Sequence, residues 1–269
     1  MSFVKGLEYV DNRNYKELSI TILKTCGNLR LIVETGTGKT ILTHAIAQEL
    51  KTPLFEIVLT RDTSRLDLLA CDILRKGETE TRKGLVLKWL EAKEGILYLD
   101  GFNYAEPNII SLVESLADFR GSVYIPELET EFKRGSKHYL VISYNPSEKS
   151  GYSGTFLENI ATLRRFEGLI IDYLESKQEK QLIKSYSADY EFASKFVELA
   201  IKTRTLYREG KLRTPLTTGN LINYAMLHKE DLSDSEIIEI ASSLFTEEQR
   251  EVFKRLFEET EKLELKEEN

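Results

Sequence analysis

Two stretches of the chain carry groups that could act on phosphate. In "LIVETGTGKT" (31–40) a short apolar run gives way to a loop holding Gly36 and Gly38, then to Lys39, Thr40 and a helical segment. Glycines let such a loop curl, so that the backbone N–H groups of Glu34, Thr35, Gly36, Thr37 and Gly38 can face phosphate oxygens at a helix N-terminus. The Lys39 ammonium is then placed to reach the terminal phosphates of a nucleotide, and the Thr40 hydroxyl to ligate magnesium. In "GILYLDGFNYAEP" (95–107) four apolar residues, Ile96–Leu99, run into Asp100, about sixty residues after the loop. A buried strand delivers a carboxylate to a metal ion in this way, so Asp100 is the second candidate magnesium ligand.

Both stretches depart from the full pattern. The spacing G-x-x-x-x-G-K-[ST] puts a first glycine at position 33, which holds Val33, and a β-branched residue resists the turn that glycine eases. Gly101 stands where a nucleotide-hydrolysing site usually carries an acid for the attacking water. Glu106 is the nearest acid in sequence that could take over.

Elements must hold these groups in place. The runs "LRLIV", "LFEIVL", "ILYLD", "HYLVISY" and "EGLIIDYL" read as strands, and their near-continuous Ile, Leu and Val content suits a parallel sheet covered on both faces. Helical periodicity fills the gaps at 15–25, 40–50, 85–92 and 108–116. Beyond 175 only helical segments follow, at 175–187, 190–208, 218–229, 234–244 and 247–263, one of them opening with a Ser233–Glu236 capping box. The expected fold is therefore α/β, with a nucleotide-binding domain over 1–174. A smaller all-helical domain covers 175–269 and ends in an acidic helix or tail.

Composition narrows the classes. The chain has 269 residues, 41% hydrophobic and 30% charged, with a net charge of −7. Residues 230–269 hold fourteen acids and five bases, against 30 acids and 32 bases in the rest, so the body of the protein is close to neutral. No apolar run is long enough to span a bilayer, and "MSFVKGLEYVDNRNYKEL" lacks the apolar block of a secretory leader. A cytoplasmic protein without a membrane anchor is expected. Cys26 and Cys71, with His44, His138 and His228, show no metal-ligand spacing.

The series "ETGTGKT", "GILYLDGFNYAEP", "RGSVYIPELETEFKRGSKHYLVISYNPSE" and "ATLRRF" resembles the AAA+ ATPases of the MoxR branch, over roughly residues 14–230. Its relatives that activate rubisco and nitric-oxide reductase, and the gas-vesicle ATPase, are the most similar. The resemblance implies a P-loop parallel sheet, a helical lid, ATP and Mg2+ as cofactors, and a homo-oligomeric ring, usually a hexamer. A von Willebrand factor A-type protein is the implied partner class. Asp100 matches the Walker B aspartate, and Asn145 the sensor-1 asparagine that positions water. Arg165 matches the arginine that reaches a neighbouring subunit's ATP, with Arg164 as its alternative. The segment 120–139 matches a hairpin inserted before sensor 1. The Walker B glutamate falls on Gly101 and the sensor-2 arginine on Gly219, in "LTTGNL".

The expectation is an ATPase that remodels or activates a partner protein, with hydrolysis weakened at Gly101. One alternative is a nucleotide-gated scaffold with little turnover. Another is a nucleic-acid motor or loader, in which "TETRKGLVLKW" and "EFKRGSKHY" supply phosphate contacts, with Trp89 and Tyr139 as a stacking platform.

Overall fold

The computed structural model describes residues 9–11, 13–34, 36–75, 77–145 and 160–267. Two compact units form. One takes Lys39–Ile171 with the chain up to Glu34; the other takes Thr35–Gly38 with the chain from Asp172 onward.

The first unit is an α/β sandwich of helices around a five-stranded parallel sheet. Its strands are β1 (Asn28–Val33), β2 (Leu54–Val58), β5 (Gly95–Asp100), β8 (His138–Tyr144) and β9 (Glu167–Ile171), in the order β2-β5-β8-β1-β9. Every pairing is parallel. Side chains alternate across a strand, and here both sides are covered. Ile96 and Tyr98 pack with Leu29, Leu31 and Val33 against α1 (Tyr15–Cys26) and α2 (Lys39–Leu50). Leu97 and Leu99 pack with Leu140 and Ile142 against α4 (Leu85–Glu91) and α5 (Pro107–Ala117). Burial on both faces is why β5 reads as an unbroken apolar run.

Two hairpins leave this sheet. Between the four-residue helix α3 (Arg65–Leu68) and α4 lies an antiparallel pair, β3 (Ala70–Arg75) and β4 (Glu78–Lys83). Between α5 and β8 lies the pair β6 (Ser122–Ile125) and β7 (Thr130–Lys133). The short helix α6 (Ile160–Leu163) precedes β9.

Under the sheet, at the N-terminal ends of its strands, one half-buried cation joins several elements. Arg134 Nη1 donates to Asn28 Oδ1 and the Leu116 carbonyl, each at 2.7 Å. Its Nη2 donates to the carbonyls of Gly27 and His138 at 3.0 and 2.8 Å. The ends of α1 and α5 and the starts of β1 and β8 thus meet on one guanidinium, which desolvation lowers to a pKa of about 10. Trp89 is wholly buried beside it, its indole donating to the Gly95 carbonyl. Trp89 is therefore interior and does not stand on the surface as a stacking platform, and Arg134, half-buried, has its guanidinium engaged by oxygens of the chain itself.

The second unit contains the helices α7 (Ser176–Ser187), α8 (Tyr190–Arg208), α9 (Thr218–Lys229), α10 (Asp234–Ser242) and α11 (Glu247–Glu267). Phe192, Phe196, Tyr224, Phe245, Phe253 and Phe257 fill its core. The Ser233–Glu236 capping box forms at α10. Among the described residues no helix is long and apolar enough to cross a membrane.

Arg134→Ala should destabilise the first unit by about 3 kcal/mol or more, since it strips charge-assisted bonds from four buried acceptors. Thermal unfolding should show a drop of about 6–12 °C, with Arg134→Lys recovering only part, because one ammonium cannot span the fork.

Candidate active site

The candidate groups gather at the C-terminal ends of the central strands. Strand β1 carries Val33, 1% exposed and paired with Ile171 of β9, and half-buried Glu34 follows it. Val33 is still extended backbone inside the core, so no glycine is needed there, and the turn begins later. Gly36 and Gly38, at φ 80° and 91°, supply the left-handed backbone of that turn. Thr35 lies outside the described residues; Thr37 is half-buried. Lys39 and Thr40 then open α2.

Strand β5 ends in Asp100, whose backbone registers opposite Ser143 of β8. The two stretches read from the sequence meet here. Lys39 Nζ lies 3.1 Å from Asp100 Oδ1, with the two side chains 20% and 13% exposed. Ser143 Oγ donates to the same oxygen at 2.6 Å, and the Tyr98 hydroxyl lies 3.0 Å from Ser143 Oγ. Burial, and then the nearby Asp100 carboxylate, push the Tyr98 phenol above its ordinary range, which keeps it a neutral donor. A carboxylate and a hydroxyl are hard oxygen donors that suit a magnesium ion. The cation now on that carboxylate is the Lys39 ammonium.

Past Asp100 the backbone turns at Gly101, φ 73° and ψ 37°. A Cβ there would stand 3.2 Å from the Leu59 carbonyl oxygen and 3.3 Å from the Tyr104 ring. The missing acid therefore sits at a backbone position that itself favours glycine. Two residues on, Asn103 is 7% exposed, and neither its amide nitrogen nor its oxygen has a partner. Asn145 directly follows β8, and its Oδ1 is likewise buried and unpartnered. Unsatisfied buried polar atoms are uncommon, and two such side chains lie in the turns leaving β5 and β8. Glu106 is exposed at the N-cap of α5, where its side chain makes no capping bond.

Arg165 stands apart from this cluster, just before β9, at the opposite end of that strand from Ile171. Its Nη1 donates to the Ala161 carbonyl at 2.9 Å and its Nη2 to Asp118 Oδ2 at 3.3 Å. Burial alone would raise the Asp118 carboxyl, yet the Arg120 backbone N–H and the guanidinium groups of Arg165 and Arg120 hold it below the usual range. The adjacent Arg164 is exposed. Gly219 is the second residue of α9, exposed, with Thr217 Oγ1 3.7 Å from where its Cβ would be. A side chain would fit there; none is present.

Tyr98, Ser143 and Asn103 are site residues that the sequence reading missed. Tyr98 was visible only as the one hydroxyl-bearing residue in an aliphatic run. Ser143 gains its meaning from a register that no sequence spacing reveals.

Residues 28–166 match the family described as AAA domain (dynein-related subfamily). The denitrification regulatory protein NirQ of Pseudomonas aeruginosa is 27% identical over 208 residues, covering 77% of this chain and 78% of that protein. An uncharacterized protein of Staphylococcus epidermidis is 26% identical over 193 residues, covering 69% and 71%. The crystal structure of a candidate ATPase from Cytophaga hutchinsonii aligns with a TM-score of 0.50 at 18% identity, over 90% of this chain and 87% of that one, a likeness of fold.

Substituting Gly101 tests the strained turn. Gly101→Ala should lower stability by about 1–2 kcal/mol through its left-handed backbone, and Gly101→Asn by less, since Asn tolerates that region. Denaturant midpoints at constant slope provide the comparison.

Proposed function

The chain belongs to the dynein-related subfamily of AAA domains, and on that premise we propose that it binds ATP with magnesium and acts as a MoxR-type ATPase. In this reading it forms a ring, six subunits being the usual number, that activates or remodels a partner protein. The observation that supports it most is the 3.1 Å contact between Lys39 and Asp100, which joins the loop lysine to the strand-end carboxylate at one point of the sheet edge. The regulatory role that NirQ's name gives that relative supports action on another protein. A von Willebrand factor A-type protein is the partner class that the MoxR resemblance implies.

The roles follow from the chemistry of each group. Backbone N–H groups of the loop hold phosphate oxygens, and the Lys39 ammonium exchanges Asp100 for the β- and γ-phosphates. Thr40 and Asp100 hold the magnesium ion. Magnesium, when bound, neutralises charge on the phosphates. The Asn145 amide, with its oxygen unpartnered, orients the attacking water. Arg165 serves a neighbouring subunit's nucleotide after leaving Asp118, or Arg164 serves in its place.

One observation favours a second reading. No acid side chain emerges at Gly101, and Glu106 is exposed, so water at the γ-phosphate has no evident base. Losing such a group costs roughly 10²–10⁴ in rate. A chain that holds ATP for long periods and clamps a partner fits that loss.

Titration with a fluorescent ATP analogue and measurement of phosphate release separate these outcomes. ATP binding by the unmodified chain should weaken roughly 10–100-fold in Lys39→Ala, the loss of a charge-assisted contact. Binding that is indifferent to Lys39→Ala would overturn the nucleotide reading. Turnover that Asp100→Asn abolishes supports the ATPase; tight binding with no measurable phosphate release supports the scaffold.

A further inference from the structure

The hydroxyls around Asp100 have a definite proton order. An ionised carboxylate only accepts, so Ser143, which has a single O–H, gives it to Asp100 Oδ1 across 2.6 Å. At the 3.0 Å contact between Tyr98 and Ser143, Tyr98 must therefore be the donor. The chain of donors runs from Tyr98 through Ser143 to Asp100.

We propose that Tyr98 and Ser143 are positioning residues for a divalent cation, a hydroxyl relay that holds its carboxylate ligand, Asp100, in one preset orientation. The proposal rests on the ATP–magnesium reading above and deepens it. Both relay residues are wholly buried, so neither can touch the nucleotide through solvent, and they act only through that carboxylate. The relay is fixed by the sheet. Tyr98 and Asp100 lie two residues apart on one face of β5, and Ser143 is held opposite Asp100 by strand register. Outer partners of metal ligands fix ligand orientation and basicity, and their removal commonly costs 10–100-fold in metal affinity.

The test is magnesium dependence of ATP-analogue binding, measured by fluorescence on the full chain, with EDTA samples giving the metal-free affinity. Tyr98→Phe and Ser143→Ala each delete one hydroxyl and little volume. The magnesium concentration for half-maximal enhancement should rise about tenfold in each, while metal-free affinity stays within about twofold of the unmodified chain. That split is one that general loosening of the core would not produce. Equal magnesium dependence in a folded variant overturns the relay. If Tyr98→Phe does not fold, Ser143→Ala decides alone. An unmodified chain that binds no nucleotide at any magnesium concentration overturns the nucleotide reading itself, and the relay's role in it.

Discussion

A carboxylate at the end of a fully buried strand must be compensated, and that constraint organises this protein. Asp100 follows five residues of β5 that are all buried, and its own side chain is 13% exposed. An uncompensated charge in that setting is costly. Lys39 and Ser143 supply the compensation, and each has to arrive on a different element. Lys39 comes from the loop and helix that follow β1, Ser143 from β8 lying between β1 and β5 in the sheet. The strand order is therefore the condition under which a lysine at position 39 and an aspartate at position 100 can meet.

The opposite end of the sheet solves a related problem with the charges reversed. Helices α1 and α5 end there with carbonyls that no later turn satisfies, and Arg134 gathers carbonyl oxygens from both neighbourhoods. A half-buried guanidinium is stable in that place because its fork matches several acceptors at once. One edge thus presents a compensated anion with nearby unpartnered amides, where a ligand can exchange with Lys39. At the other edge the Arg134 guanidinium is already engaged by the chain's own oxygens.

Much of this was legible in the sequence. The central strands β1, β5 and β8 carry the apolar runs that a two-faced parallel sheet demands, whereas the edge strands β2 and β9 read the same way in sequence and are only partly covered. The loop–lysine–threonine series and the strand-end aspartate were legible because each is a local pattern. The hairpin of β3 and β4 was not: "ETETRK" in β4 is exposed along most of its length, so no burial pattern marks it as a strand. Arg134 read as a surface base because long-range carbonyl convergence leaves no trace in spacing. Ser143 and Asn103 were missed for the same reason, since register and unpartnered burial exist only in three dimensions. Val33 looked like a defect in the loop and is instead a core residue one step before the loop begins.

The departures from the full AAA+ pattern differ in physical kind. At Gly219 the helix is fully built: α9 opens with a Thr217–Asn220 capping box, and Thr218 donates to Glu179 at 2.6 Å. Glu179 in turn forms a buried two-pronged pair with Arg204. The helix around position 219 is thus fully formed, and a Cβ there would make only an ordinary contact. At Gly101 the constraint is the backbone, a left-handed turn with a carbonyl oxygen 3.2 Å from the Cβ position, which disfavours most side chains. A Cβ at 219 meets nothing closer than 3.7 Å, whereas one at 101 meets a left-handed backbone and a close carbonyl oxygen. The lysine and the aspartate that meet at 3.1 Å stand on a regular helix and a regular strand, and the position after that aspartate offers no side chain to a water molecule. That pairing is the physical basis of the second reading proposed above, binding with little turnover.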